Sequence, residues 1–180
     1  MKKTLIAALV FATASFGSSA VMAETIGNSP QTLTLTDGAG FFGDVFGANN
    51  KGDTFADRFT FSVSGTTGMN LDAIVSSISR SADVGLDITG LALYGADNTL
   101  ITNGMSVHTG SMDVWTIKTD NLMAGNYYLQ VSGNMVGDTA GSFGGAVMLA
   151  PVPEPETYGM MLGGLGVLGF LARRRKAKQA

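Results

Sequence analysis

The sequence of 180 residues contains no cysteine and a single histidine, His108. Without cysteine the chain has no disulfides and no thiolate nucleophile, although an exported protein could use either. One histidine and no cysteine cannot supply the usual ligands of a zinc site. His108 lies in the segment TNGMSVHTG, which has neither a G-x-S-x-G elbow nor an oxyanion-hole motif. We therefore expect a surface histidine, with no zinc site and no catalytic triad.

Basic residues are scarce in the middle of the chain. Residues 24–150 contain twelve acidic and four basic side chains, a formal charge of −8, whereas the whole chain carries −3. The difference arises because seven of the eleven bases lie in the two terminal segments. A domain this acidic lacks the electrostatic footprint of a nucleic-acid-binding protein. It is compatible with an exported protein and with bound cations.

Several aspartates lie in turns rich in glycine and asparagine, where their carboxylates offer the hard oxygen ligands that calcium prefers. Aspartate also favours such turns for backbone reasons alone, and no EF-hand loop pattern is present. We therefore predict no cofactor and keep calcium as an alternative. The aspartates concerned are Asp37, Asp44, Asp53, Asp97 and Asp138.

Residues 1–23 have the three parts of a secretory signal peptide. They begin with Lys2 and Lys3, continue with the apolar segment LIAALVFATASF, and end with the small-residue segment SSAVMA. Val21 and Ala23 occupy the small-residue positions before the expected cleavage site, so Glu24 would be the mature N-terminus. A retained N-terminal anchor is the alternative, and it is disfavoured because serines and a glycine interrupt the apolar segment early.

Residues 24–150 predict one all-β domain. Short segments of alternating or β-branched residues are separated by glycine- and asparagine-rich turns, a pattern typical of a β-sandwich or jelly roll. Residues 71–79 also fit a helical stripe, so this segment is the least distinctive of the set. The predicted strands cover residues 32–36, 54–64, 71–79, 88–94, 114–118, 127–131 and 145–149.

The alternating apolar positions of these segments predict the core. We expect Trp115 to belong to it because it is in phase with Ile117, although a sugar-stacking tryptophan is the alternative. The predicted core residues are Leu33, Leu35, Phe55, Phe59, Phe61, Leu91, Leu93, Trp115, Ile117, Tyr127, Leu129 and Val131.

The segment TFADRFTFSV, residues 54–63, places an acid in an apolar row. Alternation puts Asp57 on the same strand face as Phe55 and Phe59. A buried carboxylate without partners would cost several kcal/mol or become neutral. We therefore expect Asp57 to accept hydrogen bonds from the preceding loop, residues 47–53, and to hold that loop on the sandwich. A calcium ligand is the second interpretation and a catalytic acid the third.

Residues 151–178 form a distinct C-terminal segment. Pro153, Glu154 and Pro155 precede an apolar stretch over residues 157–172. A helix of 16 residues spans roughly 24 Å, which is short of the ~30 Å hydrocarbon core. Tyr158 and the basic side chains could extend it, so we predict a short transmembrane helix with a cytoplasmic basic end. The basic cluster consists of Arg173, Arg174, Arg175, Lys176 and Lys178.

This three-part tail resembles the sorting signal of PEP-CTERM proteins. The resemblance implies export through the Sec route, an intermediate tethered to the inner membrane, cleavage by an exosortase-type enzyme, and delivery to the cell surface or the extracellular matrix. Exosortase systems commonly accompany exopolysaccharide production, so exopolysaccharide and a biofilm matrix are implied partners. Retention of the tail as an ordinary anchor is the alternative fate.

The strand around Asp57 adds a second resemblance. Phe55, Asp57 and Phe59 look like the signature of the FxDxF group of PEP-CTERM proteins. The segments DRFTFSV, LALYGADN and AGNYYLQVSG are similar in order to prepeptidase-type β-sandwich domains. These resemblances imply a jelly-roll-like ectodomain and a structural role for the three signature residues.

Together these observations predict a non-enzymatic surface or matrix protein with a structural or interaction role. The first alternative is a glycan- or calcium-binding adhesion module, which would need exposed aromatic residues beside acidic loops. The second is a small secreted hydrolase, which would need two acids, or an acid and His108, to converge in a cleft.

Overall fold

The computed structural model describes residues 24–152 and 155–177. The predicted signal peptide, Pro153 and Glu154 lie outside the described residues. The described chain contains ten strands followed by one helix. They are β1 Gln31–Thr32, β2 Ala39–Phe46, β3 Thr54–Val63, β4 Met69–Ile78, β5 Leu86–Gly95, β6 Leu100–Asn103, β7 Met105–His108, β8 Met112–Leu122, β9 Gly125–Met135, β10 Gly141–Pro151 and α1 Pro155–Ala177.

The strands form two five-stranded sheets. Sheet A has the order β1-β3-β9-β5-β6, and sheet B has the order β2-β10-β4-β8-β7. All neighbouring strands are antiparallel except β1 and β3, which are parallel. Each sheet buries one face against the other, as in a β-sandwich. The predicted all-β class and sandwich architecture are confirmed.

In β3 and β4, buried and exposed side chains alternate as the sequence predicts. In β3, Phe55, Asp57, Phe59, Phe61 and Val63 are buried and the residues between them are exposed or half-buried. In β4 the buried residues recur at every second position from Leu71 to Ser77, a period of two that excludes a helix. The strand prediction for residues 71–79 is therefore confirmed over the helical alternative.

The core contains an aromatic cluster that links the two sheets. Phe46 of β2 lies 4.6 Å, between ring centroids, from Phe55 of β3, and Phe143 of β10 stacks on Phe55 at 5.6 Å. Phe42 contacts Phe59 at 4.9 Å. Of these five residues, only Phe55 and Phe59 were in the predicted core. Trp115 is half-buried against the core, and its Nε1 donates a hydrogen bond to the carbonyl of Ile88 at 2.9 Å.

Three strands were missed because glycine and turn residues obscure their patterns. In β2 a side chain at Gly40 would press on Leu35, and one at Gly43 would approach the Phe143 carbonyl. β6 and β7 are separated only by Gly104, where the chain passes from sheet A to sheet B. A Cβ there would lie 2.8 Å from the Thr116 carbonyl oxygen and 2.9 Å from that of Leu91, so the crossing requires glycine.

One further prediction changes in the structure. The strand expected over residues 32–36 is reduced to β1, Gln31–Thr32, because the chain then leaves sheet A towards β2. His108 is the exposed last residue of β7, which forms a hairpin with β8. The expectation of an exposed histidine is confirmed.

The C-terminal segment is helical, as the sequence predicts. Tyr158 to Phe170 are exposed along α1, and the glycines of that stretch have open space around them. Across residues 24–152 and 155–177, no helix combines the length and apolar character needed to cross a membrane. The predicted transmembrane helix is not confirmed, since the apolar stretch of 16 residues is shorter than the ~20 that a span requires.

Candidate functional site

Asp57 lies between the two sheets, with only 1% of its surface exposed. Phe55 and Phe59, two residues away on either side, are equally buried on the same face of β3. The placement of the three signature residues therefore follows the alternation of the strand.

The hydrogen-bond partner of Asp57 differs from the prediction. Its Oδ1 accepts a hydrogen bond from the backbone N–H of Asn28 at 2.6 Å, whereas the sequence predicted donors from residues 47–53. The N-terminal segment reaches Asp57 because it runs parallel to β3, with Thr25 bridging to Thr54 and the N–H of Ile26 bonded to the Thr54 carbonyl at 2.8 Å. Asp57 therefore holds the N-terminal segment rather than the loop.

The second oxygen of Asp57 is unsatisfied. Oδ2 is buried and has no hydrogen-bond partner among the residues that the structure describes. Asp44 of β2 faces the same space, and its Oδ1 accepts a hydrogen bond from the backbone N–H of Val45 at 2.7 Å. The side-chain amide of Asn28 donates to Asp44 Oδ2, and Gln31 Nε2 lies 3.5 Å from the same atom. Two carboxylates and two carboxamides thus converge beneath the N-terminal segment.

The ionisation of Asp57 is shifted by this environment. The pKa of Asp57 is raised from its ordinary value of 3.8 to about 6, chiefly by burial; the Asn28 N–H opposes this shift and the nearby Asp44 carboxylate contributes to it. The protonated form of Asp57 can donate to Asp44, which would satisfy Oδ2. Asp57 and Asp44 therefore form a pair that can share one proton.

A second buried carboxylate, Asp113, was missed by the sequence analysis. Its Oδ2 accepts hydrogen bonds from the Ile88 N–H at 3.1 Å and from Ser77 Oγ at 3.2 Å, and its Oδ1 accepts one from the Gly110 N–H at 3.3 Å. The phase of Asp113 with Trp115 and Ile117 was the signal that could have revealed it. Because both oxygens are satisfied and the donors come from both sheets, Asp113 joins the sheets structurally.

A groove of about 800 Å³ lies on the outer face of sheet A. One wall is the N-terminal segment and the other is the turn after β5, with β3 and β9 between them. We call this feature the sheet A groove. It is lined by Pro30, Thr32, Leu33, Leu35, Arg58, Thr60, Phe61, Ser62, Ala96, Asn98, Asn126, Tyr127 and Tyr128.

The side chains along this groove are ordered by contacts between neighbouring strands. Tyr94 of β5 stacks on Tyr128 of β9 with ring centroids 5.0 Å apart, and the Arg58 guanidinium lies 4.9 Å from the centre of the Tyr128 ring. The Tyr128 hydroxyl donates to Asn98 Oδ1 at 3.0 Å. Ser62 Oγ donates to Asn126 Oδ1 at 2.7 Å. The groove thus presents hydroxyl, amide and guanidinium groups, and the Tyr128 ring is buried among them.

Sheet B offers a different surface. A shallow depression of about 360 Å³ is bordered by Phe41, Ile74 and Met148, which are all exposed. Asp72 is the one charged residue at its border, where it pairs with Lys118 at 2.6 Å. This surface has few groups that could bond a polar ligand.

The sorting residues can be placed only in part. Pro155 is the first residue of α1, and Arg173, Arg174, Arg175 and Lys176 lie near the helix end. Proline is well suited to a helix start because its missing N–H has no intrahelical acceptor there. Within the described part of the chain, no three His, Asp or Glu side chains gather in a way that could hold a metal ion.

Residues 151–176 match the PEP-CTERM protein-sorting motif. This match confirms the predicted tail and implies an exported protein that is sorted by an exosortase-type enzyme. No curated protein sequence matches the chain.

Among solved structures, the pre-peptidase C-terminal domain of collagenase from Bacillus anthracis is similar at 17% identity, with a TM-score of 0.36. The match covers 70% of this chain and 94% of that domain. A likeness at this level carries no inference about function, and the sandwich itself is seen directly in the two sheets.

The raised pKa of Asp57 predicts a pH-dependent stability. Because the folded state binds a proton more tightly than the unfolded chain, the free energy of unfolding should fall as the pH rises from about 4 to about 6. Asp57→Asn keeps the acceptor for Asn28 and removes the charge. We expect it to raise the free energy of unfolding by about 1–2 kcal/mol at pH 7.5 and to have little effect at pH 4.

Urea unfolding of the full chain with a chelator present, at pH values from 4 to 7.5, measures this difference. Asp83→Asn, at an exposed turn position, controls for the loss of one negative charge. A variant at Asp57 that is less stable than wild type at pH 7.5 would contradict the assignment.

Proposed function

We propose that this protein is exported through a signal peptide, processed at its C-terminal tail by an exosortase-type enzyme, and retained at the cell surface or in the extracellular matrix, where the sheet A groove binds exopolysaccharide. In this proposal residues 1–23 are the signal peptide, residues 24–150 the binding domain, and residues 151–178 the sorting signal. The Sec route and an intermediate tethered to the inner membrane belong to the same proposal. The match to the sorting motif supports the export half, and the groove supports the binding half.

The geometry of the tail suits a segment that is recognised and removed. α1 follows β10 after a short linker, and its described side chains from Tyr158 to Phe170 are exposed. Side chains added at Gly159, Gly163 or Gly166 would meet open space, so an enzyme could approach the helix closely.

Processing predicts the loss of this helix from the mature protein. Mass spectrometry of the surface protein, from cells that contain an exosortase-type enzyme, should find peptides of the domain but none from residues 162–173. A variant with Pro153→Ala and Pro155→Ala should retain these peptides, whereas the neighbouring Val152→Ala should behave as wild type. Recovery of peptides 162–173 in the mature wild-type protein would show that the tail stays as an anchor.

The sheet A groove is the observation that carries the binding role. Polysaccharides are recognised by aromatic surface together with hydrogen-bonding groups that fix the orientation of the sugars. The groove offers the hydroxyl and amide groups of Thr60, Ser62 and Asn126, whereas Tyr127 is half-buried against the core and Tyr128 is buried. The groove is open along the surface, as binding to a long polymer requires. This arrangement supports the glycan-binding form of the predicted interaction role.

We also propose that the role is binding rather than catalysis. Glycoside hydrolysis uses two carboxyl groups that flank the scissile bond in a cleft. The residues that line the described groove include no acid, and Asp57 and Asp113 are both buried between the sheets. This distribution disfavours the secreted hydrolase alternative.

Filling the groove should abolish polysaccharide binding. Ser62 is exposed on the groove floor, and strands accept tyrosine readily, so Ser62→Tyr should obstruct the groove without unfolding the domain. On an array of bacterial and plant polysaccharides, wild-type protein should bind at least one polymer and Ser62→Tyr should bind it at least tenfold more weakly.

Ser106→Tyr, on exposed strand β7 of sheet B, is the matched control and should bind like wild type. Absence of binding to every polymer, or equal binding by wild type and Ser62→Tyr, would reject the groove as a polysaccharide site.

Calcium binding beneath the N-terminal segment is a second candidate role, and the unpartnered Oδ2 of Asp57 favours it. The Asp44 carboxylate lies beside it, and the side-chain amide nitrogens of Asn28 and Gln31 contact Asp44 Oδ2. Carboxylate oxygens are suitable calcium ligands. A divalent cation would neutralise both acids and remove the cost of the unsatisfied buried oxygen.

This role predicts that calcium stabilises the wild-type protein and fails to stabilise Asp57→Asn. A ligand at a hundred times its Kd adds about 2.7 kcal/mol to the free energy of unfolding, so the melting temperature of the full chain should rise by several degrees when calcium replaces a chelator. Asp138→Asn, in an exposed turn, should respond like wild type. An unchanged melting temperature in wild type would exclude the calcium site.

A further inference from the structure

We propose that the sheet A groove selects an acidic polysaccharide, and that Arg58 binds the carboxylate of a uronic acid unit. This inference rests on the proposed binding function and adds the chemical class of the ligand. Arg58 is one of only four bases in residues 24–150, and it lies within the groove.

Arg58 forms no salt bridge with a carboxylate among the described residues, although the domain is rich in acids. The domain has three acids for every base, and yet among residues 24–152 and 155–177 the only salt bridge joins Lys118 to Asp72. Asp97, in the turn beside the groove, has both carboxylate oxygens engaged by Thr99, from its N–H at 3.0 Å and its Oγ1 at 2.8 Å. This acid beside the groove is therefore hydrogen-bonded within its own turn.

The guanidinium of Arg58 is nevertheless held in place. Nε donates to Gln130 Oε1 at 3.2 Å, and the central carbon of the group lies over the Tyr128 ring. The Tyr128 ring is stacked on Tyr94, and its hydroxyl is bonded to Asn98. Of the three guanidinium nitrogens, these contacts use Nε in a hydrogen bond. The two terminal nitrogens remain for a ligand, and together they form the fork that matches the two oxygens of a carboxylate.

The surrounding groove explains why the anion should belong to a sugar polymer. Thr60, Ser62 and Asn126 follow Arg58 along the groove and supply the hydroxyl and amide groups that neutral sugar units bond. No acid is among the residues that line the described groove. At physiological salt the Debye length is about 8 Å, which screens most of the remaining negative charge of the domain.

The experiment compares three soluble polymers of matched length: polygalacturonate, which carries carboxylates, dextran sulfate, which carries sulfates, and neutral dextran. Binding to the full chain is measured by calorimetry in 150 mM salt with a chelator present. We expect wild-type protein to prefer polygalacturonate by tenfold or more. Arg58→Gln should lose roughly tenfold or more of that affinity, because a charge-assisted bidentate contact is lost.

Two further variants make the comparison specific. Arg80→Gln removes the same charge from an exposed position outside the groove lining and should bind like wild type. Arg58→Lys keeps the charge without the fork and should bind between wild type and Arg58→Gln. Thermal unfolding of each variant shows whether loss of the contact with Tyr128 has altered the fold.

The outcomes separate this inference from the groove proposal. Dextran binding that Ser62→Tyr abolishes and Arg58→Gln leaves unchanged would overturn the acidic ligand and keep the groove. Equal binding of dextran sulfate and polygalacturonate through Arg58 would overturn the choice of a carboxylate. If none of these polymers binds, the proposal of an acidic ligand is rejected. The polysaccharide array then tests whether the groove binds any other polysaccharide.

Discussion

The hydrogen bond from the Asn28 N–H to Asp57 Oδ1 is the contact on which the burial of this acid depends. Asp57 is almost fully buried in a row of apolar side chains, where an unpaired carboxylate costs several kcal/mol. Only one of its oxygens has a partner in the described chain. The apolar row accommodates this acid because the N-terminal segment covers it and Asp44 lies close enough to share a proton. The parallel pairing of the segment with β3 and this hydrogen bond together place Asn28 over the buried carboxylate.

The sequence predicted the strands that contain an alternating or β-branched apolar segment. β3 and β4 alternate along most of their length, because one buried face imposes a period of two. In β5, β8, β9 and β10 only part of each strand was predicted, and in β5 the buried phase shifts at the bulge between Ile88 and Gly90. β2 was missed since Gly40 and Gly43 leave gaps in its pattern, and those gaps exist only because Leu35 and Phe143 come close in the folded sandwich. Such close approaches depend on tertiary packing, which has no local signature in the sequence.

In the candidate sites, too, the sequence indicates single residues, whereas their partners depend on tertiary structure. The sequence indicated that Asp57 needs a partner, but the donor is a backbone N–H located 29 residues earlier, and any residue except proline carries that group. It also indicated a polar outer face on β3 at Arg58, Thr60 and Ser62. That face becomes a groove only through the pairing of Thr60 with Tyr128 and of Tyr128 with Tyr94, which brings together strands that are distant in sequence.

The N-terminal segment connects the two candidate sites. Asn28 contacts both Asp57 and Asp44, and two residues later Pro30 begins the wall of the sheet A groove. Leu33 continues that wall and is also buried in the core. The acid pair and the wall of the groove are therefore joined by one short segment of the chain, and the contact between Asp57 and Asn28 anchors the start of that wall.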